Sequence, residues 1–190
     1  MAMSLVQSDF VGLGQIATHC DLTKLQVAIN EAIEFDMKPL LCNLFGQIDE
    51  NWEEEELAGP NYTVISPGSY ENCAGFNTTH QGLKKVLAYF AYSRYTFMNP
   101  FNDTPNGAVD KTNPFSIPKP LAEIKQYSNK YKNMAKEAFK YVEAYILLNK
   151  DGYPGFPVSE LKTCGCNGAC GTKGNTKGFG IKSRIISRYE

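Results

Sequence analysis

Between Leu22 and Phe45 the residues Leu22, Leu25, Ile29, Ala32, Ile33, Met37, Leu40, Leu41, Leu44 and Phe45 recur at steps of three, four and one. That rhythm lays them along one side of an α-helix, in a stripe wide enough to need a covering surface. Pro39 interrupts it. Inside an unbroken helix proline removes a donor and clashes with the preceding turn, at about 3 kcal/mol. The segment is therefore expected to kink, or to split into two short helices meeting near Asp36 and Lys38. Asp21 suits the N-cap, because its carboxylate can accept an orphan amide proton of the first turn. Nothing in the stripe is catalytic.

Two further helices follow from the same rule. Leu83, Val86, Leu87, Phe90, Ala91, Arg94 and Phe97 share one face of a helix expected from Gly82 to Met98, and Tyr89, Tyr92 and Tyr95 wrap its other sides. A helix this apolar is buried on most sides, by its own domain or by neighbouring subunits. The third and longest is expected from Pro120 to about Asn149, with Pro120 placed where its missing donor costs nothing. Leu121, Ile124, Tyr127, Tyr131, Met134, Ala135, Ala138, Phe139, Val142, Tyr145 and Ile146 make its stripe. At 1.5 Å per residue such a helix spans roughly 45 Å, longer than a small globule needs. Asp151-Gly152-Tyr153-Pro154-Gly155 ends it.

The segments between are less regular. In residues 1–20, Phe10 and Val11 can pack, ahead of a flexible turn from Gly12 to Gly14. Glu53 to Glu56 crowd four like charges together and read as a solvated helix end or loop. Residues 59–77, rich in Gly, Pro, Ser and Asn, read as loop. Residues 99–118 contain four prolines and an Asn106-Gly107 pair suited to a tight turn, so Thr104 to Thr112 are expected to form a small hairpin. A connection of that length tends to be a binding loop or a disordered one. Asn106, Gly107, Val109, Lys111 and Phe115 are its candidate interface residues. The fold class expected is thus mainly α: about three principal helices in a domain over residues 1–156, a long loop or small hairpin, and an extended C-terminal arm over 157–190. In that arm the alternation from Ile181 to Tyr189 can make one strand, which needs a partner for its backbone groups. Ile181, Ile185, Ile186 and Tyr189 are candidate contacts there.

Composition narrows the chemistry. At 190 residues and net charge −1 the chain is no generic polyanion binder. Six basic residues face three acids in residues 151–190, against thirteen and seventeen before them, so a weakly basic tail follows an acidic body. There is no run of about 18 apolar residues to cross a membrane. The N-terminus lacks the basic and apolar blocks of a secretory signal, so synthesis in cytoplasm is expected, with the six cysteines reduced at first. Cys164, Cys166 and Cys170 are candidate metal ligands, but a structural zinc site wants four donors at another spacing. A fourth would have to come from Cys73, His80, His19 or another subunit. A disulfide and free thiols stay open beside zinc, and no metal or cofactor is assigned. The two histidines, His19 and His80, have no partners at motif spacing and read as satisfied surface or capping residues. No nucleotide-binding, zinc-protease or nucleophile-elbow motif occurs, and an enzyme is not expected. Lys162, Lys173, Lys177, Lys182, Arg184 and Arg188 allow only modest phosphate affinity.

With these segments laid out, the chain resembles the head-tail connector, or adaptor, proteins of the tailed-bacteriophage neck, in the form found in phages of gut Bacteroidetes including the crAss-like group. The matching pieces are INEAIEFDMKPLLCNLFGQI at 29–48, QGLKKVLAYFAYSRY at 81–95, GAVDKTNPFSIP at 107–118 and YVEAYILLNKDGYPGF at 141–156, in order and spread over about two thirds of the chain. The chain departs from the pattern at Cys42, where relatives commonly carry glycine after the Leu-Leu pair, and this puts a tight turn there in question. The resemblance implies a structural virion protein: a mainly helical subunit in a homo-oligomeric ring, typically of 12 copies, at the portal vertex of the capsid. Such a ring joins the portal protein to other neck or tail proteins and surrounds the channel through which genome DNA passes. The alternative is a small metal- or nucleic-acid-binding module acting through its Cys-rich basic tail.

Overall fold

A computed structural model describes residues 3–13, 22–52, 60–72, 74–104, 107–110 and 119–156. The fold is mainly helical and organised around α5 (Gly82–Met98), which packs against α1 (Leu22–Ala32) on one side and α6 (Leu121–Leu148) on the other. Leu83, Val86, Leu87, Phe90 and Ala91 of α5 are buried, and so are Tyr89, Tyr92 and Tyr95 on its remaining sides. The all-round apolar character of α5 is therefore absorbed within its own domain. Tyr92 meets Tyr131 of α6 edge-on at 4.7 Å, and Ser93 and Ser128 join the two helices by exchanging hydroxyl-to-carbonyl hydrogen bonds of 2.8 Å each.

The stripe around Pro39 departs from a regular α-helix, as expected. After α1 the chain widens into a π-helical turn, Ile33–Met37, then continues as α2 (Lys38–Leu41), a 3-10 turn (Cys42–Leu44) and α3 (Phe45–Glu50). The wide turn, in which the Lys38 amide reaches back to the Ile33 carbonyl, accommodates a proline that offers no donor of its own. Cys42 then adopts φ +48° and ψ −124°, a conformation that favours glycine. The tight turn that the resemblance put in question is thus made, with a cysteine in it. Met37, Leu41, Leu44 and Ile48 are all fully buried by this path.

Upstream, Phe10 enters the core but Val11 is exposed, contrary to expectation, because the 3-10 turn Gln7–Phe10 ends between them and points Val11 outward. Trp52 anchors the start of the chain, its indole donating to the Ser4 carbonyl at 2.7 Å. Residues 59–77 are not a loop throughout. Pro60–Ile65 form α4, and Gly68–Glu71 (β1) pair antiparallel with Asn77–His80 (β2), in the register Gly68 to His80 and Glu71 to Asn77. Composition hides this ribbon because its turn is built by a side chain: the Asn72 carboxamide oxygen accepts from the Ala74 and Phe76 amides at 3.0 Å each. Gly82 starts α5 at φ +76° with Ile65 and Ser66 so close that a Cβ would sit 2.4 Å from the Ile65 carbonyl oxygen.

A second ribbon follows α5. Phe101–Thr104 (β3) pair with Gly107–Asp110 (β4), Thr104 facing Gly107 and Phe101 facing Asp110. The sequence reading placed this hairpin three residues late and put Gly107 in the turn. Its start is held early, where the Phe97 and Phe101 rings meet at 6.1 Å and the Lys24 ammonium donates to the Phe101 carbonyl. α6 runs 28 residues, about 42 Å at 1.5 Å per residue. Tyr131, Ala135, Phe139, Val142 and Ile146 of its expected stripe are buried, whereas Leu121, Tyr127 and Met134 are exposed.

Candidate functional site

The described surface is most distinctive at the end of the molecule where α5 gives way to the β3–β4 ribbon. α1 and its π turn supply Glu31 and Asp36, α5 supplies Arg94 and Phe97, and α6 supplies Ser128 and Lys132, which together line a cavity of about 210 Å³. Arg94 organises it. Its Nε donates to Asp36 Oδ2 at 2.7 Å and its Nη1 to Glu31 Oε2 at 3.2 Å, while the guanidinium lies 5.5 Å from the centre of the Phe35 ring. The Asp36 side chain is only 10% exposed, so the pair is partly desolvated and ties the π turn to α5. Phe35 itself is 67% exposed. Arg94 was expected on an apolar face, and that placement is itself a signal: a cation in a buried stripe requires an acid from a neighbouring helix.

Beside this cavity stands the β3–β4 ribbon. Among the described residues it is a two-stranded sheet whose outer edges carry no further strand. A lone two-stranded ribbon is marginal in water and exposes a row of backbone donors and acceptors on each side. At its N-terminal end α6 is exposed as well: residues 121–130 include none that is buried. Exposed Phe35, Phe97, Leu121 and Tyr127 thus accompany an open ribbon and an overhanging helix.

Of the expected interface residues, Gly107 opens β4 opposite Thr104, and Val109 faces Asn102 across the ribbon. Asn106, Lys111, Phe115, Ile181, Ile185, Ile186 and Tyr189 lie outside the described residues, as do Asp21, His19, Glu53 to Glu56 and the cysteines Cys164, Cys166 and Cys170. Among the described residues no group of three metal-ligating side chains comes together.

His80 overturns its reading as a satisfied surface or capping residue. It is 2% exposed, and neither ring nitrogen has a hydrogen-bond partner among the described residues. Burial lowers its pKa from the usual histidine value, since the charged form would lose its water. Burial also dominates at three phenols: Tyr92 is pushed up to about 12, with Tyr127 and Tyr95 contributing, and Tyr131 and Tyr153 are raised as well.

A model of DUF6712, a family of unknown function, matches residues 37–165. No curated protein and no solved structure matches the chain.

Proposed function

The chain belongs to the DUF6712 family, and we propose that it is a structural virion protein of the phage neck, a subunit of a ring joining portal to tail around the DNA channel. The observation that carries this reading is the β3–β4 ribbon, whose outer edges carry no further strand among the described residues; the first turns of α6 are exposed as well. Both offer surface to another polypeptide. A ribbon edge gains a row of backbone hydrogen bonds when another polypeptide adds to it. A 28-residue helix that buries only its C-terminal part offers a rigid strut to a neighbour. Closed rings of this sort use heterologous contacts, in which one face of each subunit meets a different face of the next.

The resemblance of the sequence to head-tail connectors supplies the partners: the portal protein, other neck or tail proteins and about a dozen copies of the chain itself. In this reading the ribbon, the segment after it and the 157–190 arm reach the neighbours, and the helical body carries load between them. Mass measurement of the protein with and without its portal tests this. A ring bound to the portal is expected. Val109→Glu and Phe115→Glu should each block docking while leaving the thermal midpoint within a few degrees, and removal of residues 157–190 should leave a folded subunit that no longer builds a neck. Virions with normal tails after that deletion, or a chain that never engages the portal, would reject the assignment.

A further inference from the structure

The least satisfied polar group in the described structure is the imidazole of His80, at the end of β2 where the β1–β2 ribbon packs on α6. Its ring lies 4.8 Å from that of Tyr145 on α6 and 6.2 Å from that of Tyr70 on β1. On the remaining side Gly68 approaches so closely that a Cβ there would stand 2.8 Å from Nε2. Tyr145 in turn meets Tyr153, which is 2% exposed. The imidazole is therefore boxed by two phenol rings and a glycine, all uncharged, and spans the seam between ribbon and helix.

Among the described residues no carboxylate stands in that box to balance a second proton's charge. The titratable groups facing the seam are Tyr70 on β1, Tyr145 on α6 and, behind it, Tyr153. The two cavities that His80 borders, of about 560 and 620 Å³, add Tyr89 and Lys85 from α5 and Lys130, Glu137 and Tyr141 from α6. Glu137 is the single carboxylate among these lining residues, and Lys140 already holds it at 2.6 Å. A protonated imidazole needs partners for both nitrogens, and with the ribbon seated neither nitrogen has one among the described residues.

We propose that His80 is a proton-controlled latch: neutral, it seals the β1–β2 ribbon onto α6, and protonated, it releases the ribbon while the α1–α5–α6 core stays folded. The ribbon is the element that yields because it is short, two-stranded and held on α6 largely through Tyr70 and His80. α5, by contrast, buries most of its residues between α1 and α6. Release uncovers Tyr145 and Tyr153 and merges the two cavities.

Hydrogen exchange followed amide by amide between pH 7.5 and 5 tests this, with His19→Gln throughout so that His80 is the only histidine. Protection factors of β1 and β2 are expected to fall by up to about tenfold per pH unit below about pH 6.5, while those of α5 hold. In His80→Phe, or His80→Leu if the larger ring does not fit, ribbon protection should be flat with pH. In the unsubstituted His80 chain the imidazole resonance should stay neutral well below pH 6.5 and titrate in step with ribbon opening. Flat ribbon protection in that chain, an unchanged slope in the His80 variants, an imidazole that titrates near 6.5 with no opening, or loss of α5 protection together with the ribbon would each overturn the latch.

Discussion

Replacing Cys42 by glycine should stabilise the protein, and the expected size follows from the backbone. At φ +48° and ψ −124° a residue with a Cβ carries strain of about 1–3 kcal/mol. Glycine relieves that strain. It also loosens the unfolded chain, which offsets about 0.5–1 kcal/mol. The cysteine thiol contributes little against this, since it is exposed and makes one 3.2 Å contact, donating to the Pro39 carbonyl. The net gain is about 1 kcal/mol, or roughly 2–4 °C in thermal midpoint for a chain of this size. Cys42→Ala is the decisive comparison, because it removes the thiol and keeps the Cβ. Denaturant unfolding of both variants in reductant should place glycine above the native chain and alanine at or below it. If glycine proves no more stable than alanine, the strain argument fails.

Gly82→Ala should do the opposite, lowering the urea midpoint by an amount worth at least about 2 kcal/mol; its Cβ would meet backbone atoms of Ile65 and Ser66 at 2.4 and 2.5 Å, which cannot step aside as a side chain can. Arg94→Met should cost about 2–3 kcal/mol by leaving the Asp36 carboxylate almost buried without its cation, and adding Asp36→Asn should restore much of the loss; equal losses in the single and double variants would contradict this. Alkaline titration gives a further check. Tyr92 has a pKa raised to about 12, so the unfolded chain releases its proton from pH 10 upward while the folded one keeps it. Stability from this group is complete below pH 10 and is lost as pH climbs through about 12, and Tyr92→Phe should reduce that loss as read by urea midpoints at pH 9 and 11.

The three principal helices were legible in the chain itself. Their apolar periodicity is a local property, and a stripe needs cover whatever the partner is, so α5 was placed from Gly82 to Met98 and the break before Pro39 was foreseen. The ribbons were legible only in part. Asn106-Gly107 marked a hairpin, but the first strand begins at Phe101, where Phe97 and the distant Lys24 meet it. The β1–β2 ribbon escaped because its four-residue strands, GSYE and NTTH, are too short and too polar to show an alternation, and the Asn72 turn holds them together. Sequence determined that the three principal helices form and where α5 and α6 begin and end, because those follow from side-chain spacing and proline chemistry over a few turns. Tertiary structure alone decided that Arg94 finds Asp36 and Glu31 and that His80 finds no hydrogen-bond partner among the described residues. Pairing and desolvation depend on which distant segments are brought face to face, and a one-dimensional pattern does not carry that distance.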